Sequence, residues 1–452
     1  MCHLLAPSPP PTGHFFFSLP IFETGFGFSF GMFEDVHGIP VTLVTGFGSM
    51  SEMFMWNLLR RRSRELFFAW GWLLPVFLPF LYMAGRAAGN LFFVVYILWS
   101  ALSLRRRDLS FPPWLVRFYL LMLLAYSLGI PGAQEPVAAI YGWVKYALHT
   151  SALFITLIVA RSDPDGIRKL VNVAGMTGLA TILLLAMQLG YHASQPDFVP
   201  AAQVRGLAPA YLLPFMIVWI QERMTEKSRI LTGLLLVFSV FTLLVLADSR
   251  TELLCASMGL LVFVWLRSAR RTPLILLAAL LVPLIVMMRM EVTDPVLVGG
   301  DSAGLLDRMS SFRIQIWTQA ITEPPLHPLV GVGIDNVRYY DPVIINESRS
   351  VKHLHNFLLD AWYETGWLGL ASLLSLLAYL FTQVLSRLRE ANRTQFQLAV
   401  PLISAVMAIM TAAFLDPSYR SKEFSMFMFV YLAALWRLAE YRQLREQNGC
   451  SE

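Results

Sequence analysis

Apolar runs of about 15 to 25 residues recur from Arg60 to the C-terminal end, separated by short polar breaks. That is the length a helix needs to cross a hydrocarbon layer about 30 Å thick. Inside lipid every backbone polar group must find a partner within its own segment, which leaves helices as the fold for such runs. The runs fall near 66–83, 88–104, 113–129, 138–160, 168–190, 207–221, 230–247, 252–266, 273–289, 357–385, 396–414 and 422–440. The expected fold class is therefore all-α: a polytopic membrane bundle of about 12 transmembrane helices. With 56% hydrophobic and 14% charged residues in 452, the chain does not read as a set of soluble domains.

Charge supplies the orientation. Lysine and arginine flanking short loops are retained on the cytoplasmic side, and here every second loop is basic: Arg60 to Arg64, Arg105 to Arg107, Arg161 with Arg168 and Lys169, Arg223 with Lys227 and Arg229, Arg267 to Arg271, Arg387 to Arg393, and Arg437 to Arg445. The intervening short loops carry at most two. Both termini are thus expected in the cytoplasm, and one large extracytoplasmic loop, residues 290–356, is expected between helices 9 and 10. The division that follows is 1–59 as a poorly ordered leader, 60–289 as helices 1–9, 290–356 as the outer loop, 357–440 as helices 10–12, and 441–452 as a cytoplasmic tail. The net charge of +5 is spread through these loop clusters, so no nucleic-acid partner is implied. Cys2, Cys255 and Cys450 are far apart, and none has a cysteine or histidine at ligand spacing.

The same alternation places Arg205, Arg250, Arg308, Arg313, Arg338, Arg349 and His355 in loops of one face. Orientation rules disfavour arginines there, so each needs a local reason, and binding an anion is one. In Asp248-Ser249-Arg250-Thr251-Glu252 the turn is so tight that Arg250 must lie at the membrane boundary. It is either paired with its acidic neighbours or a fork for a phosphate at headgroup depth. Arg205, just before the run at 207, reads as a snorkelling interfacial arginine or a second anion contact. Arg308 and Arg313 lie in an amphipathic helical stretch ending at Trp317. Arg313 and Trp317, four apart, share a helix face and present a cation beside an aromatic plate, which suits a phosphate joined to a sugar.

His353 and His355 point the same way in extended chain, but no third ligand stands at a convincing spacing, so no metal site is expected. His355 immediately precedes an apolar helix that starts with Asn356. Imidazole as a side-chain type titrates near neutrality and suits a general base acting on a hydroxyl. Arg338, Tyr339 and Tyr340 read as further substrate contacts or as an interfacial belt. Gly331 and Gly333 read as a turn that lets backbones approach closely, with no Lys-Ser/Thr after them to make a phosphate loop. Lys145 and His149, four apart, are the intramembrane ionisable pair from which a transporter or flippase reading would start. No Asp or Glu partner is expected at membrane depth, and no repeated broken helices are evident.

These motifs resemble the O-antigen ligase and O-antigen polymerase superfamily of bacterial inner membranes. Its ligases carry His-Asn/Ser/Gln, nine residues, then Gly-x-x-Gly/Thr/Tyr. Here His355-Asn356 is followed by Phe357 to Thr365 and then Gly366-Trp367-Leu368-Gly369. Upstream, the Arg-bearing helix ending in Trp317 and the run His327-Pro328-Leu329-Val330-Gly331-Val332-Gly333 are similar to the family's Arg, Trp and His-Pro-Leu-x-Gly-x-Gly. The resemblance implies a glycosyltransferase that is independent of metals and cofactors. It would move a polysaccharide from undecaprenyl diphosphate to a lipid A-core hydroxyl on the periplasmic face of the inner membrane. His355 would be the base, Arg250 and Arg313 the diphosphate ligands, with inversion at the anomeric carbon. A polymerase using a lipid-linked glycan as acceptor, or a protein O-oligosaccharyltransferase, would share this donor chemistry.

Overall fold

The computed structural model describes residues 73–84, 86–104, 111–159, 164–194, 207–223, 250–267, 313–340, 344–346, 349–350, 353–415 and 419–447. The leader, the runs at 230–247 and 273–289, Arg205 and Arg308 lie outside them.

The described chain is helical apart from one short ribbon. In order the helices are α1 Leu74–Ala84, α2 Arg86–Leu104, α3 Pro113–Ser127, α4 Pro136–Thr150, α5 Ala152–Val159, α6 Pro164–Ser194, α7 Leu207–Arg223, α8 Arg250–Arg267, α9 Arg313–Thr322, α10 Phe357–Leu388, α11 Arg393–Leu415 and α12 Met428–Gln447, the last entered through a π-turn at Glu423–Phe427. Strands Ile344–Asn346 and Arg349–Ser350 pair antiparallel between α9 and α10. Four stretches among the described residues are long and apolar enough to cross a membrane: Pro113–Gly132, Asp165–Met187, Phe357–Leu388 and Arg393–Leu415. Two boundaries differ from the sequence reading. The run at 138–160 is divided between α4 and α5 at Ser151, and the run at 357–385 is broken at Gly366.

Proline starts α3, α4 and α6, where its missing N–H is one of the donors a helix leaves unbonded anyway. Small residues bring helices together where polar groups have no water to turn to. A side chain at Gly175 would meet Trp219 and the Phe215 carbonyl, which seats α6 on α7. Gly259 lies against Ala408, and the Cys255 thiol donates to the Ala408 carbonyl at 3.0 Å, which seats α8 on α11. α8 is thereby held by a buried interface, with Thr251 and Glu252 of its first turn also buried.

Candidate functional site

Helix α9 bridges two of the regions that carry sequence-predicted residues. Arg313 at its first position donates through Nη2 to the Thr251 hydroxyl at 3.2 Å. Thr251 follows Arg250, the residue at which α8 begins. One turn further, Trp317 donates its indole N–H to the Leu354 carbonyl at 2.9 Å. Leu354 is the residue before His355 and is fully buried. One short helix thus ties the Arg250 turn to the His-Leu-His-Asn segment, with Arg313 and Trp317 on the shared face that their spacing predicts.

His355 has a φ of 54°, the left-handed region that a residue with a Cβ adopts at a cost of about 1–2 kcal/mol. Its neighbours hold it there. The Leu354 amide donates to Asp360 Oδ1 at 2.7 Å, its carbonyl accepts from Trp317, and Asn356 takes extended backbone as the N-cap of α10. Strain maintained in this way is a recognised mark of functional positions. The ring centroids of His353 and His355 lie 4.3 Å apart.

Asn356, read from sequence as a substrate contact, is engaged as a cap. Its Oδ1 accepts from the Leu358 and Leu359 amides at 3.0 and 3.2 Å, and its Nδ2 donates to the Phe414 carbonyl at 3.2 Å. That arrangement satisfies donors the helix start would otherwise leave bare. Arg338, Tyr339 and Tyr340 are also locally committed. Arg338 pairs with Asp335 at 2.7 Å and covers the Tyr339 ring, and the Tyr340 hydroxyl donates to the Gly132 carbonyl at 3.0 Å.

The glycine motifs form a single backbone crossing. Gly366 interrupts α10 with φ 65° and ψ −171°, which strands the amides and carbonyls around it. The run at 327–333 supplies their partners. Trp367 and Leu368 donate to the Pro328 and Leu329 carbonyls at 2.9 and 3.1 Å, while Val332 and Gly333 donate to the Tyr363 and Glu364 carbonyls at 3.1 and 2.9 Å. Contact is so close that a Cβ on Gly366 would sit 2.3 Å from the Leu329 carbonyl carbon, and one on Gly331 would sit 2.3 Å from that of Glu364. Both glycines also have positive φ. Only residues without a side chain meet both conditions. Gly369 lies beneath the Thr365 side chain, one turn along.

Beside this crossing lies a charge network that sequence reasoning missed. Arg420, in the turn between α11 and α12, pairs with Glu364 at 2.8 Å and with Asp335, which also holds Arg338. The Tyr419 hydroxyl donates to the other Glu364 oxygen at 2.7 Å. Burial alone would lower the pKa of Arg420, but the adjacent Glu364, Tyr419 and Asp335 outweigh it and hold the guanidinium above its ordinary range. Asp360 and Glu364 are both buried in the first part of α10. They stand four apart near the start of α10, and Arg420 and Tyr419, approaching from another segment, give Glu364 its partners. The transporter pair also separates: His149 is buried, with Nδ1 3.1 Å from the Ser425 hydroxyl, whereas Lys145 is exposed.

The described residues form a helical fold with four stretches long and apolar enough to cross a membrane. Residues 234–374 match a family model described as O-antigen ligase. The matched stretch, less than half of the chain, holds Arg250, Arg313, His355, Gly331, Gly333, Gly366 and Gly369, and supports the resemblance to the O-antigen ligase and polymerase superfamily. The match supports a function of the ligase and polymerase type in general. Among curated proteins none matches.

Proposed function

We propose that the chain is an O-antigen ligase-type glycosyltransferase. It takes a glycan from undecaprenyl diphosphate and delivers it to a hydroxyl of the lipid A-core, on the periplasmic face of the bacterial inner membrane, with both termini cytoplasmic. The acceptor oxygen attacks the anomeric carbon from the side opposite the diphosphate, so configuration inverts. The bond between that carbon and the phosphate oxygen breaks, and the electron pair leaves with the diphosphate. His355 accepts the proton from the attacking hydroxyl. Arg250 and Arg313 neutralise the charge growing on the leaving group, so no metal or other cofactor is called for. Arg205 and Arg308 are assigned to the same anionic end, and His353, Tyr339 and Tyr340 to the sugar side.

The observation that supports this reading is α9, which reaches Thr251 beside Arg250 with Arg313 and reaches Leu354 beside His355 with Trp317. A phosphate ligand and a base are most useful when a rigid element sets their separation, because orientation itself lowers the barrier. The N-terminus of α8 adds its helix dipole at the position given to the diphosphate.

Transfer by the reconstituted protein from a defined lipid-diphosphate glycan is the test, with lipid A-core and a second lipid-linked repeat offered in parallel as acceptors. His355→Ala is expected to lose activity by roughly 10²- to 10⁴-fold, the range for a positioned general base. Unchanged turnover in that variant would remove the assignment. Arg313→Lys is expected to be strongly impaired, since an ammonium cannot form the two-pronged contact. Product formed only with the lipid-linked repeat would make the protein a polymerase.

A further inference from the structure

The turn that fills the break in α10 faces outward with apolar side chains. Leu326 and Leu329 are 74% and 64% exposed, and beside them Trp367 and Leu368 are 54% and 46% exposed. Leu329 and Leu368 are neighbours, because the Leu368 amide donates to the Leu329 carbonyl. Below them the same side of α10 continues through Ala371, Leu374, Ala378 and Leu385, all exposed and spaced three, four or seven apart. This is the unburied stripe of a helix that is long and apolar enough to cross a membrane.

Part of the turn's backbone is bonded within the protein. Val330 and Gly331 both donate to the His327 carbonyl at 3.2 and 2.7 Å, the carbonyls of Pro328 and Leu329 accept from α10, and Val332 and Gly333 donate back to it. A surface loop in water commonly keeps its backbone wet and its apolar side chains in. Here the His327, Pro328 and Leu329 carbonyls and the Val330 amide are bonded inward while Leu326 and Leu329 point out, which lowers the cost of setting the turn against hydrocarbon. Length agrees. Residues 367–388 rise about 33 Å, enough by themselves for a layer about 30 Å thick, with Arg387 and Arg389 at the far end. Gly366 then marks the boundary at the His355 end, and Trp367 takes an interfacial position. Leu329, alongside Leu368, lies just inside it, whereas exposed Glu323 after α9 belongs to the water side.

We infer that residues 326–330 are a wedge seated in the bilayer, and that what covers Leu326 and Leu329 is the acyl-chain region of the leaflet at the His355 end. The segment that charge alternation assigns to an aqueous loop is in part a membrane element, locked to α10 by the glycine crossing. This does not depend on the transferase reading and holds for any activity of the protein.

The test uses the full chain in phosphatidylcholine liposomes, with Cys2 and Cys450 replaced by serine and buried Cys255 kept. A bimane fluorophore is placed at Leu329→Cys, with Leu374→Cys as the lipid-facing reference and Glu323→Cys as the aqueous one. Lipids carrying a nitroxide on the acyl chain are expected to quench Leu329→Cys to the same fractional loss as Leu374→Cys, and aqueous iodide is expected to spare both. Iodide quenching equal to that of Glu323→Cys would overturn the inference. Protection from both quenchers would overturn it too, by showing that protein covers the turn. Leu326→Cys gives the same readout if Leu329→Cys fails to insert.

Discussion

His355 and Gly366 stand at opposite ends of the first half of α10, and both have backbone in the left-handed region. They occupy it for opposite reasons. At Gly366 another backbone passes so close that no side chain fits, so the residue is what the geometry leaves room for. At His355 the side chain is retained and the conformation is enforced from outside, through Asp360, Trp317 and the Asn356 cap. One region is shaped by the absence of a side chain and the other preserves a side chain against its backbone cost. The lesson is a division of labour: the glycine crossing makes the scaffold, and the histidine end carries the chemistry proposed for it.

The sharpest way to break that division is at the crossing. Gly366→Ala should cost about 3–5 kcal/mol, among the largest effects of single substitutions, because the new methyl meets a carbonyl that is itself bonded to Leu368. Thermal unfolding of the purified protein checks this, and a tolerated alanine would mean that the two backbones are not locked. Next is Arg420→Met, which leaves Glu364 and Asp335 without their shared cation and should cost about 3 kcal/mol, as loss of one partner of a buried pair does. Adding Glu364→Gln should recover part of that loss; no recovery would show that the pair is not coupled.

At the other end, stability and activity should part company. His355→Gly and His355→Ala should both be inactive, yet the glycine variant should be more stable by about 1 kcal/mol, since it relieves the left-handed backbone. Equal melting temperatures would show that His355 is not strained. Smallest is Trp317→Phe, which keeps the ring and removes the bond to Leu354. About 1 kcal/mol of stability and a several-fold fall in turnover are expected, and an unchanged rate would remove Trp317 from the support of His355.

Much of this was legible before any coordinates. Arg313 and Trp317 share a face because a helix repeats every 3.6 residues. Close approach at Gly331 was legible as well, since glycine pairs in a turn have few other uses. The cap role of Asn356 was not legible, because a polar residue next to a candidate base looks the same in sequence whether it touches substrate or caps a helix. Glu364 escaped notice for a related reason: a carboxylate in an apolar run is interpretable only when its partner is known.

What the sequence determined by itself is local and periodic: apolar length, alternating charge, helix faces, and the glycines that permit close contact. Those properties depend on neighbours a few residues away. Tertiary structure alone decided that the run at 327–333 mends the break at Gly366, that Arg420 joins Asp335 to Glu364, and that α9 spans from Thr251 to Leu354. Each of these joins distant segments, and the physical reason they could not be read in advance is that a hydrogen-bonding group in sequence states its need for a partner but not which partner the fold brings within 3 Å.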